Sequence, residues 1–222
     1  YLILFIKQVL TYNALMNILG IESSCDDTGL AVIGSNGEIV AHVTSSQHEI
    51  HEKYGGIVPE LASRDHVKKF IPLLDYLLIK SDMKLDNIDM IAFTNGPGLL
   101  GPLLAGASLA KALGWATKTP TIEVNHLEAH IYSPMMTEND LKPPFISLLV
   151  SGGHTILSNV GQNFSIETLG STLDDSAGEC FDKIARKLGL GYPGGPEIAK
   201  RSMLSDNNSY VFPRPMIKNN NY

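Results

Sequence analysis

From Ile18 onward the chain alternates short apolar runs with turn-forming clusters, and the spacing of those runs lays out a series of elements. Residues 18–21 are apolar, 22–28 are turn-rich, and 29–33 and 38–44 are two further short runs separated by Asn36-Gly37. Three short strands broken by turn signals predict an antiparallel meander. Pro59 suits the first turn of a helix, where its missing N–H has no partner to lose. Beyond it Leu61, Val67, Phe70, Ile71, Leu74, Leu77 and Leu78 recur at helical spacing. Residues 89–94 read as a buried strand running into Asn95-Gly96-Pro97-Gly98. The small and apolar stretch 99–115 follows as a tightly packed helix, with Pro102 admissible only in its first turn.

A second pattern begins near His126. It has a short helical stretch, a break at Pro143-Pro144, an apolar strand over 145–150, a turn at Gly152-Gly153, and an antiparallel return over 155–160. Residues 175–188 read as a helix with Phe181, Ile184, Ala185 and Leu188 on one face, ended by a Gly/Pro loop over 189–196. Strands first and helices after, twice over, predict an α/β architecture of two related lobes around a cleft. The expected division is a short extension (1–16), a first lobe (17–125) and a partial second lobe (126–222) with the chemistry-bearing motifs. Residues 1–15 are apolar but too short to span a bilayer, and they lack the pattern of a cleaved leader. Met16 is the expected start.

Composition narrows the classes. Of 222 residues, 44% are hydrophobic and 18% charged, an ordinary globular balance. Two cysteines, Cys25 and Cys180, make no disulfide framework, so a reducing, cytoplasmic setting is expected. A net charge of −6 excludes a chain coated in basic charge, so an RNA substrate would need a local patch or a basic partner. Residues 182–222 carry seven basic side chains against three acidic, although a solvated helix face explains such a run as well.

His126-Leu127-Glu128-Ala129-His130 is the most pointed local feature. Residues four apart on a helix share a face, so both imidazoles can reach one metal ion. Glu128 lies roughly 200° round the helix from the first histidine at about 100° per residue, which argues against a metalloprotease of the His-Glu-x-x-His kind. A third ligand has to come from elsewhere. Asn95 to Gly101 and Ser151-Gly152-Gly153-His154-Thr155 are glycine-rich turns able to hold an anion or to be plain turns. Carboxylates pair at Asp26-Asp27 and Asp174-Asp175, with Asp182 beyond them, and Tyr192-Pro193-Gly194-Gly195-Pro196 reads as a constrained loop. His48, His51, His66 and His154 read as surface residues.

The order of these segments adds what no single one supplies. Leu19-Gly20-Ile21-Glu22-Ser23-Ser24-Cys25-Asp26-Asp27-Thr28 resembles the opening motif of the TsaD family, and the block from Tyr54 to His66 its second. Gly96-Pro97-Gly98-Leu99, His126 to His130, Leu149 to Thr155, Gly178-Glu179-Cys180-Phe181-Asp182-Lys183 and Tyr192 to Pro196 follow in family order, so the resemblance covers essentially everything after Met16. It implies the actin-like, sugar-kinase-like (ASKHA) two-lobe fold, here with the second lobe incomplete. It implies an acyltransferase that moves a threonylcarbamoyl group from threonylcarbamoyl-AMP to N6 of the adenosine next to a tRNA anticodon.

The resemblance further implies that His126 and His130 ligate one divalent metal ion, Fe2+ or Zn2+. Leu149, Val150, Ser151, Gly152, Gly153, Asp182 and Gly195 would line the substrate. Asp27, where the family carries Glu, would stand near the reacting centre. Implied partners are tRNA and proteins of the same pathway, including a paralogous ASKHA subunit and an ATPase. Family members continue beyond the Phe212-Pro213-Arg214-Pro215 segment, into an Asn that contacts substrate and an Asp that completes the metal site. Three other readings stand beside this one: a non-catalytic binding or dimerisation subunit of the same assembly, a metallopeptidase, and a small-molecule kinase.

Overall fold

The computed structural model describes residues 16–34, 37–136, 140–204 and 210–213. The extension expected over 1–16 therefore lies, apart from Met16, outside the described residues. The chain divides between Leu141 and Lys142 into two compact units.

In the first unit the elements run β1 (Ile18–Glu22), β2 (Thr28–Ile33), β3 (Ile39–Ser45), α1 (His48–Glu52), α2 (Pro59–Ser81), β4 (Met90–Gly96), α3 (Leu100–Thr117), β5 (Thr121–Asn125) and α4 (His126–Tyr132). They form a five-stranded sheet in the order β3-β2-β1-β4-β5. The meander is antiparallel, as its turn signals predict, while β1/β4 and β4/β5 pair parallel through the crossover helices α2 and α3. Side chains alternate between faces along each strand. Leu19, Ile21, Leu30, Val32, Ile91 and Phe93 therefore meet Phe70, Leu74 and Leu77 of α2 and Ala110 of α3 in one core. Each such side chain contributes about 1.5–3 kcal/mol on full burial. The opposite face buries Ile18, Ile33, Ala92 and Val124, with Ala129 of α4 packed against them. That contact explains why the helix bearing His126 and His130 belongs to the first unit, whereas the sequence pattern had opened the second lobe at His126.

Three features differ from the pattern reading. Strand β5 had no separate signal, since Thr-Ile-Glu-Val-Asn is short and half polar. The segment around His51 is the helix α1, and His51 and His66 are fully buried, not surface residues. Val67 and Ile71 of α2 face outward; the buried stripe is Ala62, His66, Phe70, Leu74 and Leu77.

The second unit is an antiparallel meander of β6 (Phe145–Val150), β7 (Thr155–Val160) and β8 (Ile166–Ser171), followed by α5 (Ala177–Lys187) and α6 (Gly194–Ser202). In β6, Ile146, Leu148 and Val150 are exposed, so this apolar strand is covered on one face only within its unit. The Gly/Pro loop expected over 189–196 stops at Pro193, because Gly194, Gly195 and Pro196 form the first turn of α6, a place that tolerates proline.

One close approach ties the β4–α3 turn to the loop after β1. A Cβ added at Gly98 would lie 2.4 Å from the Ser24 carbonyl oxygen, whereas one at Gly152 meets nothing within 4 Å. Gly98→Ala is therefore expected to destabilise the protein by about 1–3 kcal/mol, the usual cost of overpacking. Gly152→Ala should stay within about 0.5 kcal/mol of wild type. Urea denaturation of the two variants checks both values.

Candidate functional site

The parallel order β1-β4-β5 gathers three strand ends that all point the same way. Ligands of open α/β sheets bind outside such carboxyl ends. Here they are Glu22 on β1, Thr94 to Gly96 on β4, and Asn125 on β5, which passes directly into His126. The β4/β5 register shifts between Thr94 and Gly96, and bulges of this kind re-aim the chain beside functional sites. Asn125 caps α4, its side chain accepting from the amides of Leu127 (2.9 Å) and Glu128 (3.2 Å). This cap starts the helix at His126 and so sets where both histidines stand.

His126 and His130 come together as their spacing predicts. Their Nε2 atoms are 3.2 Å apart and their rings meet edge to face, with centroids 4.5 Å apart. Two nitrogens each about 2.0–2.1 Å from one tetrahedral ion lie roughly 3.3–3.4 Å apart, so this donor pair fits a divalent cation. Among the described residues no group of three or more His, Cys, Asp or Glu side chains is placed to hold a metal.

Behind His126 stands a residue that the sequence reading gave no role. Glu22 Oε2 lies 3.3 Å from His126 Nδ1 and also accepts from Thr94 Oγ1, while Oε1 accepts from the Ser24 amide at 2.6 Å. Burial pushes the Glu22 carboxyl up, but hydrogen bonds from His126, Ser24 and Thr94 outweigh it and bring its pKa down to about 2. Ser24 Oγ adds a 3.1 Å contact to His126 Nδ1. The sequence signal was present, since a carboxylate ending an apolar strand calls for partners.

The loop 23–27 is held from two further sides. His66 contacts the Cys25 carbonyl through Nε2 (3.1 Å) and the Thr28 hydroxyl through Nδ1 (2.8 Å). The Leu99 amide donates to the Ser24 carbonyl (2.7 Å), and Ser23 Oγ donates to the Pro102 carbonyl (3.0 Å). The Leu99 amide of the glycine-rich turn is thus engaged by protein. Asp27 sits exposed at the end of this loop. Burial, then the charges of Asp26 and Asp27, push the Cys25 thiol up to about 12.

In the second unit, Leu149 and Val150 end β6 and lead into the Ser151–Gly153 turn. Ser151 Oγ accepts from the amides of Gly153 (3.3 Å) and His154 (3.0 Å), and the Ser151 amide donates to the His154 carbonyl (2.8 Å). The turn is pinned to the start of α5: the Gly178 amide donates to the Ser151 carbonyl, and Ser176 Oγ to the Gly152 carbonyl. A Cβ at Gly178 would lie 2.7 Å from Gly152 Cα. One turn further along α5, Asp182 Oδ1 accepts from the Gly194 amide at 2.7 Å, which sets Asp182 beside Gly195 at the start of α6. All seven residues expected to line a substrate therefore lie on this one unit.

The family model for TsaD, tRNA N6-adenosine threonylcarbamoyltransferase, matches residues 38–222. The chain belongs to the TsaD family. The tRNA N6-adenosine threonylcarbamoyltransferase of Burkholderia vietnamiensis (strain G4 / LMG 22486) is 54% identical over 202 residues, covering 91% of this chain and 58% of that protein. That of Burkholderia pseudomallei (strain 1106a) is 53% identical over the same length. The chain thus spans a little over half the length of these TsaD relatives. Among solved structures, YeaZ from Pseudomonas aeruginosa aligns over 70% of this chain and 66% of its own, with 17% identity and a TM-score of 0.47. The ethanolamine utilization protein EutJ from Carboxydothermus hydrogenoformans aligns over 84% and 64%, with 14% identity and a TM-score of 0.49. The five-stranded mixed sheet flanked by helices is the α/β core expected of an actin-like, sugar-kinase-like TsaD fold. No helix among the described residues is long and apolar enough to cross a membrane.

The two cysteines of this TsaD chain differ in reactivity for a physical reason. Both are free, Cys180 exposed and Cys25 half-buried with its thiol raised. Burial and the neighbouring carboxylates hold the Cys25 thiol away from thiolate, the reactive form. Iodoacetamide is expected to label Cys180 within minutes and Cys25 only after unfolding, as intact mass would report.

Proposed function

We propose that this TsaD chain carries the metal- and substrate-binding part of an acyltransferase. The reaction moves the threonylcarbamoyl group of threonylcarbamoyl-AMP to N6 of the adenosine next to a tRNA anticodon. The reading is carried by 54% identity to a tRNA N6-adenosine threonylcarbamoyltransferase over 202 residues. The paired imidazoles of His126 and His130 support it.

In this reaction the adenosine N6 attacks the carbamoyl carbon, a new C–N bond forms, and the bond to the AMP phosphate oxygen breaks as the amine gives up a proton. AMP is a good leaving group, so little is asked of a general base. Orientation of the donor against the amine then contributes much of the rate. Leu149, Val150, Ser151, Gly152 and Gly153 are the proposed lining of the donor site, with Asp182 and Gly195 beside it. Asp27, exposed on the loop after β1, is proposed to face the reacting centre. His126 and His130 would hold a divalent ion, Fe2+ or Zn2+, both of which accept imidazole ligands. When bound, that ion supplies Lewis-acid stabilisation of charge developing on donor oxygens. Proposed partners are tRNA, a paralogous subunit of the same fold and an ATPase of the same pathway, acting in the cytoplasm.

Purified chain, threonylcarbamoyl-AMP, unmodified tRNA and the other pathway proteins, followed by nucleoside mass spectrometry, test the reading. Threonylcarbamoyladenosine should form with the wild-type chain and fall at least about 100-fold with His126→Ala, as expected when a metal ligand is lost. No product from the wild-type chain, together with stable binding to the paralogous subunit, would favour the binding-subunit reading instead.

A further inference from the structure

Two imidazole nitrogens can share an ion only if both present lone pairs, and a neutral imidazole carries its one proton on either nitrogen. What decides the position of the His126 proton is therefore part of the site. Three groups make four contacts to this ring: Glu22 Oε2 and Ser24 Oγ at Nδ1, and Ser24 Oγ (3.5 Å) and His130 Nε2 at Nε2. The Ser24 hydroxyl can donate or accept. Glu22 has no such freedom. Its Oε1 is committed to the Ser24 amide, an obligate donor, and its Oε2 already accepts from the Thr94 hydroxyl. An ionised carboxylate held by donors on both oxygens can only accept from the ring.

We propose that Glu22 is a positioning residue, whose carboxylate holds the proton of His126 on Nδ1 and so turns the Nε2 lone pair toward His130. The placement of the proton rests on the hydrogen bonds alone. Its consequence for metal binding rests on the metal reading of the His126–His130 pair given above. Glu22 is fixed by three segments at once: it ends β1, Thr94 lies on the neighbouring strand β4, and Ser24 opens the loop. Carboxylate–imidazole–metal relays of this form orient a ligand ring, and their loss typically lowers metal affinity 10- to 100-fold.

Glu22→Gln is a sharp probe because the surroundings dictate how a glutamine sits. The Ser24 amide demands the side-chain oxygen, so the amide nitrogen must replace Oε2. There it would donate to Nδ1, driving the ring proton to Nε2, where it blocks the lone pair. Two readouts test this on the 222-residue chain. The first is long-range 1H–15N NMR of the histidine rings in metal-free protein, with His126 identified by the loss of its signals in His126→Ala. The second is zinc affinity, measured by competition with a chelating dye.

Wild type should show Nδ1–H and the glutamine variant Nε2–H, with zinc bound roughly 10- to 100-fold more weakly by the variant. A wild-type ring protonated on Nε2 overturns the proposal without any variant, even if Glu22→Gln does not fold. An unmoved proton in a folded Glu22→Gln overturns it as well, and so does equal zinc affinity in the two proteins. If the proton moves as expected but wild type binds no zinc, the ring-positioning role stands and the metal reading of the histidine pair fails.

Discussion

The carboxylate of Glu22 is the point at which the first unit's architecture and its chemistry meet. A strand that enters the core as Ile18, Leu19 and Ile21 and ends in Glu22 must find partners for a charge at the edge of that core. It finds one from each neighbour: the Ser24 amide in the following loop, the Thr94 hydroxyl on the adjacent parallel strand, and His126 at the start of α4. Because two of these donors, Thr94 and His126, lie far from Glu22 in sequence, the charge is fully satisfied only when β1, β4 and β5 are in register. The low pKa of Glu22 expresses that dependence. Beyond the neighbouring Ser24, its ionised form is stabilised by the folded arrangement.

Seen this way, the buried histidines have a clear place. His66 is polar and fully buried on a helix whose other buried positions are apolar. Its ring spans the Cys25 carbonyl and the Thr28 hydroxyl, so it closes from beneath the same loop that Glu22 closes from the side. His51 likewise reaches Gln47 (3.0 Å) and the Val58 amide (3.3 Å), bracing the chain that leads into α2. Neither ring neighbours the paired imidazoles in any contact described here. His66 acts on the site by stiffening the loop that carries Ser24 and Asp27.

How much of this was legible depended on how local each signal is. The meander, α2, β4 and α3 could be read because hydrophobic period and turn residues are properties of short windows. So could the pairing of His126 with His130, which needs only one helical turn. Strand β5 was not legible, because its burial comes from pairing with β4 rather than from its own composition. The turn at 192–196 read as loop because two prolines and two glycines break most structures, and only packing reveals the exception. Gly194 sits against Ala185 and the Phe181 carbonyl so closely that a Cβ there would be 2.6 Å from each, and this contact lets α6 start where it does. Glu22 and His66 escaped for the same reason: apart from Ser24, the partners that fix them lie 38 to 104 residues away.

Charge constrains the proposed chemistry further. Within six residues the end of β1 and the loop after it gather Glu22, Asp26 and Asp27, and the last two already help to raise the Cys25 thiol. A phosphate-bearing donor approaching such a loop would meet like charge. The adjoining β4–α3 turn offsets little of it through Leu99, whose amide is given to the Ser24 carbonyl. A cation held by His126 and His130 would reverse the sign of the field next to Glu22, whose own charge in turn makes the imidazole a better ligand. On the proposed reading, then, the acidic loop and the metal are one electrostatic unit. On that reading the cation would offset the negative charge beside it, and Glu22, already held by Ser24, Thr94 and His126, would orient its ligand.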